Sequence, residues 1–203
     1  MERTKSDVDK LYGMTLGIVP RFEEEAILSA IQQHRATILD GVPTVYYYLL
    51  SHPKFDDYDL SSLTRSTVGG QALPAAKSIE WTERVTTPVL ELWGMTELAG
   101  AATANPYYGD NKPGTIGLMY PGSEGKIVSA DDHDVELGTG EEGELMVRGP
   151  LVMLGYYGND EATQNAMAPG NWMHTGDIAT QDEDSYFTIV DRMKDMILTA
   201  GYN

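Results

Sequence analysis

Four short segments concentrate the side chains that can do chemistry, in a fixed order and far apart. They are Gly69-Gly70-Gln71, then Leu92-Trp93-Gly94-Met95-Thr96-Glu97, then Trp172-Met173-His174-Thr175-Gly176-Asp177. Last comes Asp191-Arg192-Met193-Lys194-Asp195, with Gly201-Tyr202-Asn203 close behind. Together they offer a hydroxyl beside a carboxylate (Thr96-Glu97), an indole (Trp93), a carboxylate with two acceptor oxygens (Asp177), a guanidinium (Arg192) and an ammonium group (Lys194). Each alone has a structural explanation. Gly-Gly makes a turn, Thr-Glu opens a helix, and Asp after Gly caps a chain segment. Their joint order and spacing need another.

Simpler motifs fail on physical grounds. Gly138-Thr139-Gly140-Glu141-Glu142-Gly143 fits the G-x-G-x-x-G spacing, but two carboxylates inside a phosphate cradle would repel the ligand, and a strand-like run follows where a helix should open. A hairpin turn is the better reading. No G-x-x-x-x-G-K-[ST] loop occurs, since Gly125-Lys126 runs into Ile127. His34, His52, His133 and His174 show no metal-ligand spacing, and Asp131-Asp132-His133-Asp134 reads as a solvated turn. Asp182-Glu183-Asp184 lacks the glycine and distal Glu of a calcium loop. No G-x-S-x-G nucleophile is present.

Composition narrows the class. The 203 residues carry 14 Lys plus Arg against 31 Asp plus Glu, a formal net charge of −17. That charge argues against nucleic-acid backbones and anionic membrane surfaces as partners. With no cysteine there is no disulfide framework and no thiol chemistry. A 41% hydrophobic content argues against disorder. No apolar run approaches the roughly 20 residues of a membrane span, and residues 1–10 have no signal-peptide core. The expectation is an acidic, cytoplasmic globular protein.

The elements that must position the four segments come in two styles. Phe22, Ala26, Ile27, Ala30 and Ile31 form a helical stripe, with Glu23, Glu24 and Glu25 suited to its first turn. Thr37-Ile38-Leu39 then reads as a strand and Pro43 opens a helix through Leu50. The pattern repeats: a strand at 65–68, Gly69-Gly70, a helix from Pro74 to about Arg84, and a strand at 88–92. This is the grammar of parallel βα units. Later, residues 126–128, 144–148, 177–179 and 186–190 read as short strands separated by turn clusters, with one helix around 161–167. The fold class is α/β followed by antiparallel β. Residues 1–112 form an α/β subdomain, 113–190 an antiparallel β subdomain, and 191–203 a hinge segment.

From residue 19 to residue 203 the chain resembles the adenylate-forming superfamily of acyl- and aryl-CoA synthetases, luciferases and peptide-synthetase adenylation domains. The segments that carry the likeness are Trp93-Gly94-Met95-Thr96-Glu97, Gly143-Glu144-Leu145 with Arg148-Gly149-Pro150, and residues 172–194. Arg21-Phe22, Gly41-Val42-Pro43-Thr44 and Gly155-Tyr156-Tyr157 fit as well. The fold so implied is an incomplete large N-terminal domain: a parallel βα layer plus a small β-barrel-like subdomain. Gly-Met-Thr-Glu and Arg-Gly-Pro are most similar to AMP-forming acyl-CoA synthetases.

The resemblance implies ATP, Mg2+ and CoA as cofactors, with a fatty or aromatic carboxylic acid activated as its adenylate and passed to the thiol. Thr96 would donate its hydroxyl to the α-phosphate, and Glu97 would hold Mg2+. Gly69, Gly70 and Gln71 would wall the adenine, and Gly94 would lie in the same nucleotide site. Trp93 would stack on adenine or simply pack in the core. Asp177 would accept from both ribose hydroxyls, and Arg192 would support that region or the phosphates. Lys194 would serve as the interdomain hinge, absorbing backbone rotation. The acyl pocket would be walled by Met95, Leu98, Ala99 and Gly100, with Ala101 continuing the run.

The family also uses a phosphate loop ending in Lys-Gly upstream of these segments and a C-terminal domain carrying a catalytic lysine. This sequence contains neither, and residues 11–17 are an abbreviated lead-in at best. The expectation is therefore a fragment that does not turn over alone and that associates, to a dimer or larger, through surfaces left uncovered. The alternative is a non-catalytic interaction protein retaining the synthetase fold.

Overall fold

Alternating β-branched runs and amphipathic stretches lay down the first sheet in the order the sequence predicts. A computed structural model describes residues 2–4 and 15–192. Two short antiparallel strands, β1 (Glu2–Thr4) and β2 (Leu16–Ile18), precede helix α1 (Glu24–His34). Next come β3 (Ile38–Gly41), α2 (Pro43–Ser51), β4 (Arg65–Val68), α3 (Ala75–Val85) and β5 (Val89–Met95). Strands β3, β4 and β5 pair in parallel, joined by the two helical crossovers. Their core is aromatic: Trp81 and Tyr46 are fully buried with ring centroids 4.9 Å apart. The Trp81 indole donates to Ser66 Oγ at 3.0 Å and the Tyr46 hydroxyl to the Thr67 carbonyl at 2.7 Å. Each polar tip therefore has a partner inside the apolar layer.

After β5 the chain departs from the expected pattern. Thr96-Glu97 does not open a helix. Thr96–Leu98 is a single 3-10 turn that reverses the chain into β6 (Gly100–Ala104), antiparallel to β5, and β7 (Leu118–Met119) extends the same sheet. The order is β3-β4-β5-β6-β7. This sheet runs past residue 112, so the change of sequence style there does not coincide with a change of sheet.

The second sheet is antiparallel throughout. It contains β8 (Glu124–Val128), β9 (Gly143–Arg148), β10 (Met167–Ala168), β11 (Trp172–Gln181) and β12 (Phe187–Arg192), in the order β10-β11-β9-β8 with β12 on β11. A short helix α4 (Asp160–Ala166) is capped by the Asn159 side chain. The β5–β6 hairpin is what ties the sheets together. Trp93, Leu98 and Ala102 pack in one cluster with Ile127, Leu145, Val147, Met173 and Phe187. Among the described residues, no helix is long and apolar enough to cross a membrane.

Candidate functional site

Two irregularities in the β structure carry the chemistry read from the sequence. The first is the β5–β6 turn. Its register shifts between Trp93 and Gly94, bringing the two backbones unusually close. A Cβ at Gly94 would stand 1.8 Å from the Gly100 carbonyl oxygen and 2.6 Å from Ala101 Cα, so only glycine fits. Ala99 (φ 57°) and Gly100 (φ 109°) complete the reversal.

This turn faces the segment that follows β4. Between them opens a cleft of about 550 Å³, lined by Gly69, Gly70, Leu92, Trp93, Gly94, Met95, Thr96, Ala99, Gly100 and Ala101. It lies outside the carboxyl ends of parallel strands β4 and β5, where open α/β sheets receive ligands. Four glycines and two alanines make up much of its wall, with Thr96 exposed. Nine of the residues given roles from the sequence, every lining residue but Leu92, thus meet in one place. Gln71 and Glu97 stand next to lining residues without lining the cleft themselves. Leu98 does not line this cleft; it is fully buried in the second core because the 3-10 turn directs it inward.

Glu97 is half-buried beside the cleft. Its Oε1 accepts from the Tyr156 hydroxyl at 2.7 Å, and its carbonyl oxygen accepts from the Met153 amide at 2.8 Å. The first contact and burial both push the Tyr156 hydroxyl pKa up. Tyr156 was visible in sequence only as part of Gly155-Tyr156-Tyr157; its partnership across 59 positions was not.

The second irregularity is a bulge in β11. Residues 175–177 lie opposite the single residue Leu145 of β9. The Thr175 hydroxyl donates to the Leu145 carbonyl at 2.6 Å, and Gly176, at φ 72°, turns its amide onto Glu144 Oε1 at 3.0 Å. Asp177 is driven inward and is 2% exposed. Its Oδ2 accepts from the Trp93 indole at 2.8 Å, and Arg192 Nε stands 2.6 Å from Oδ1. Burial raises the Asp177 pKa, while Trp93 and Arg192 oppose the rise.

Trp93 and Asp177 therefore form a physical link between the two irregularities. Trp93 is 9% exposed, belongs to the second core and shows one side to the cleft. Core packing is thus its main occupation. Asp177 does not line the cleft, and both its oxygens already have protein partners. Lys194 and Asp195 lie outside the described residues.

Residues 11–157 match the family described as AMP-binding enzyme. The chain belongs to the AMP-binding enzyme family. This AMP-binding enzyme chain is 40% identical over 194 residues to a long-chain-fatty-acid–CoA ligase of Salmonella typhi, covering 96% of the chain and 34% of that relative. It is 38% identical to a feruloyl-CoA synthase of an Amycolatopsis species, covering 95% of the chain and 39% of the relative. Among solved structures, ATP-bound MatB from Rhodopseudomonas palustris superposes with a TM-score of 0.82 at 34% identity, over 92% of this chain and 36% of that one. The architecture is thus that of the N-terminal domain of adenylate-forming enzymes. The chain spans about a third of the length of the curated relatives it matches.

Proposed function

We propose that this chain is part of an AMP-forming acid–thiol ligase, which activates a fatty or aromatic carboxylate with ATP and hands the acyl group to CoA. The observation that carries the reading is the cleft at the ends of β4 and β5, with its glycine and alanine wall. Backbone without side chains lets a flat base lie close, and Gly69 and Gly70 face the Gly94–Gly100 turn across it. The Thr96 hydroxyl donates to the α-phosphate. Met95, Ala99 and Gly100 leave room on the acyl side.

Mg2+ fits the oxygen donors at the turn. Glu97 offers a half-buried carboxylate with Oε2 not engaged by Tyr156, and Mg2+ is ordinarily held by one or two carboxylates, with phosphates and waters filling the rest. When bound, the ion screens phosphate charge. Asp177 meets the ribose only once Arg192 swings away, because the carboxylate as it stands is closed over by Arg192 and Trp93. Arg192 lies two residues before Lys194, so hinge rotation at Lys194 is coupled to opening of the ribose site.

Among the described residues no Lys or Arg lines the cleft, and the chain is strongly acidic. We therefore expect the 203-residue chain alone to hold adenosine weakly and not to turn over. Isothermal titration with a non-hydrolysable acyl-sulfamoyl-adenosine and Mg2+ tests the reading. Weak binding that is lost in Thr96→Val supports it; equal binding by that variant overturns the role of Thr96. Pyrophosphate release from ATP and a fatty-acid panel should not exceed that of Glu97→Gln.

Leu16 lines a cavity with Ile38 and Leu39 of β3, the edge strand of its sheet among the described residues, and Ile18, Phe22 and Tyr48 are exposed as well. They support self-association of the chain, read directly by light scattering.

A further inference from the structure

Glu144 is 2% exposed and sits on β9, directly behind the Asp177 bulge. A buried carboxylate needs compensation, through hydrogen bonds and positive charge. Oε1 has the Gly176 amide. Among the described residues, no Lys or Arg pairs with Oε2. Its partners are two imidazoles: His174 Nδ1 at 2.8 Å and His133 Nε2 at 3.3 Å.

These three residues come from separate places. Glu144 is on β9, and His174 is on β11 in register with Met146, two residues along β9 from Glu144. His133 arrives from the β8–β9 loop, whose turn is fixed by the Val135 amide on the Asp132 carbonyl and by the Asp131 and Asp132 amides on Ser129 Oγ. The two imidazole rings approach to 4.6 Å between centroids. One donor atom from each residue lies within 4.8 Å of the others. The expectation of a merely solvated turn around His133 is thus corrected, since the loop folds its histidine onto a buried acid.

We propose that His133, Glu144 and His174 form a binding site for a borderline divalent transition ion such as Zn2+, with water completing the coordination from the solvent side. Two nitrogens and one carboxylate oxygen are the donor set of an open zinc site. Ligand atoms around Zn2+ at bonds of about 2.0–2.1 Å stand roughly 3.3 Å apart in a tetrahedron; His133 Nε2 already stands 3.3 Å from Oε2, and His174 Nδ1, at 2.8 Å, has to draw back by about half an ångström to admit the ion. The half-exposed His133 leaves the entry path open, while Gly176 holds the carboxylate in one orientation. Asp131, Asp132 and Asp134 flank the mouth and favour a cation. The site is separate from the cleft and does not depend on the function proposed above.

The test is titration of the 203-residue chain with Co2+, followed by visible absorption, and with Zn2+ by calorimetry, alongside His133→Ala, His174→Ala and the remote control His52→Ala. The expected result is one Zn2+ per chain, unchanged in His52→Ala and weakened at least about tenfold in His133→Ala. Millimolar Mg2+ should not displace it. His133 is on the surface, so its variant reads the site even if His174→Ala fails to fold. Zinc affinity equal in wild type and His133→Ala overturns the proposal, as does no uptake by the folded chain or displacement by Mg2+.

Discussion

The β5–β6 turn and the β11 bulge are both departures from regular sheet, yet they use opposite means. The turn is open, nearly free of charge and made possible by the missing side chain at Gly94. The bulge is closed and charged, with its side chains and the Gly176 amide engaged by protein: Thr175 on Leu145, Gly176 on Glu144, Asp177 hydrogen-bonded by Trp93 and ion-paired with Arg192. A site assembled from such parts has one half shaped before any ligand arrives and one half whose existing bonds must be exchanged. Shape and charge are thereby held by different elements and can be perturbed separately.

The sharpest way to break the comparison is Gly94→Val. The added carbons collide with the backbone at Gly100 and Ala101, and the loss expected in urea unfolding is about 3 kcal/mol. A stability near wild type would show that the turn is not sterically fixed. Asp177→Ala comes next. It strands the Trp93 indole and removes the carboxylate beside Arg192, for a loss of roughly 2 kcal/mol, while the cleft keeps its shape. Loss of adenosine-analogue binding together with unchanged backbone amide shifts at residues 94–101 would separate charge from shape.

Glu91 tests the same contrast through pH. Like Asp177 it is a buried carboxylate, 3% exposed, but its partners are neutral, including the Gly114 amide at 2.7 Å. Burial raises its pKa above the usual carboxylate value. The native state therefore binds this proton more tightly than the unfolded chain. The stability so gained is present at acid pH and is lost as pH rises through the raised value. In paired urea titrations, wild type should lose ground to Glu91→Gln as pH climbs from 4 towards neutrality. A constant gap would mean that the neutral partners fully offset burial. The smallest effect belongs to Tyr156→Phe, which removes an exposed hydroxyl from Glu97. Its stability change should stay within about 0.5 kcal/mol, and a larger loss would mean that the open half is braced after all.

The regular parts were legible because local patterns announce them. The strand at 65–68 and the proline-opened helix at 43 follow from residue type and period alone. Strand β6 was not, because Gly100-Ala101-Ala102-Thr103-Ala104 is too small and uniform to alternate, and Thr96-Glu97 mimics a helix start. Within the site, residue types pointed to the Gly94 turn, but not to which face Leu98 would take. The inward turn of Asp177 and the meeting of His133 with His174 depend on a bulge and a loop return. Neither leaves a periodic mark in the sequence.

The Trp93–Asp177 bond spans 84 positions, and that separation sets an order of events as well as a shape. Strands β3 to β5 pair across short crossovers and can assemble while the rest of the chain is still loose. Asp177 can reach Trp93 only after β9 and β11 have docked, so this contact shares the entropy of closing long loops with Tyr186 on Asp110 and Phe187 on Gly117. The polar knot beneath the cleft is therefore among the last structures to form. Opening from the native state should begin there, with amides of β11 and β12 exchanging with solvent well before those of β4.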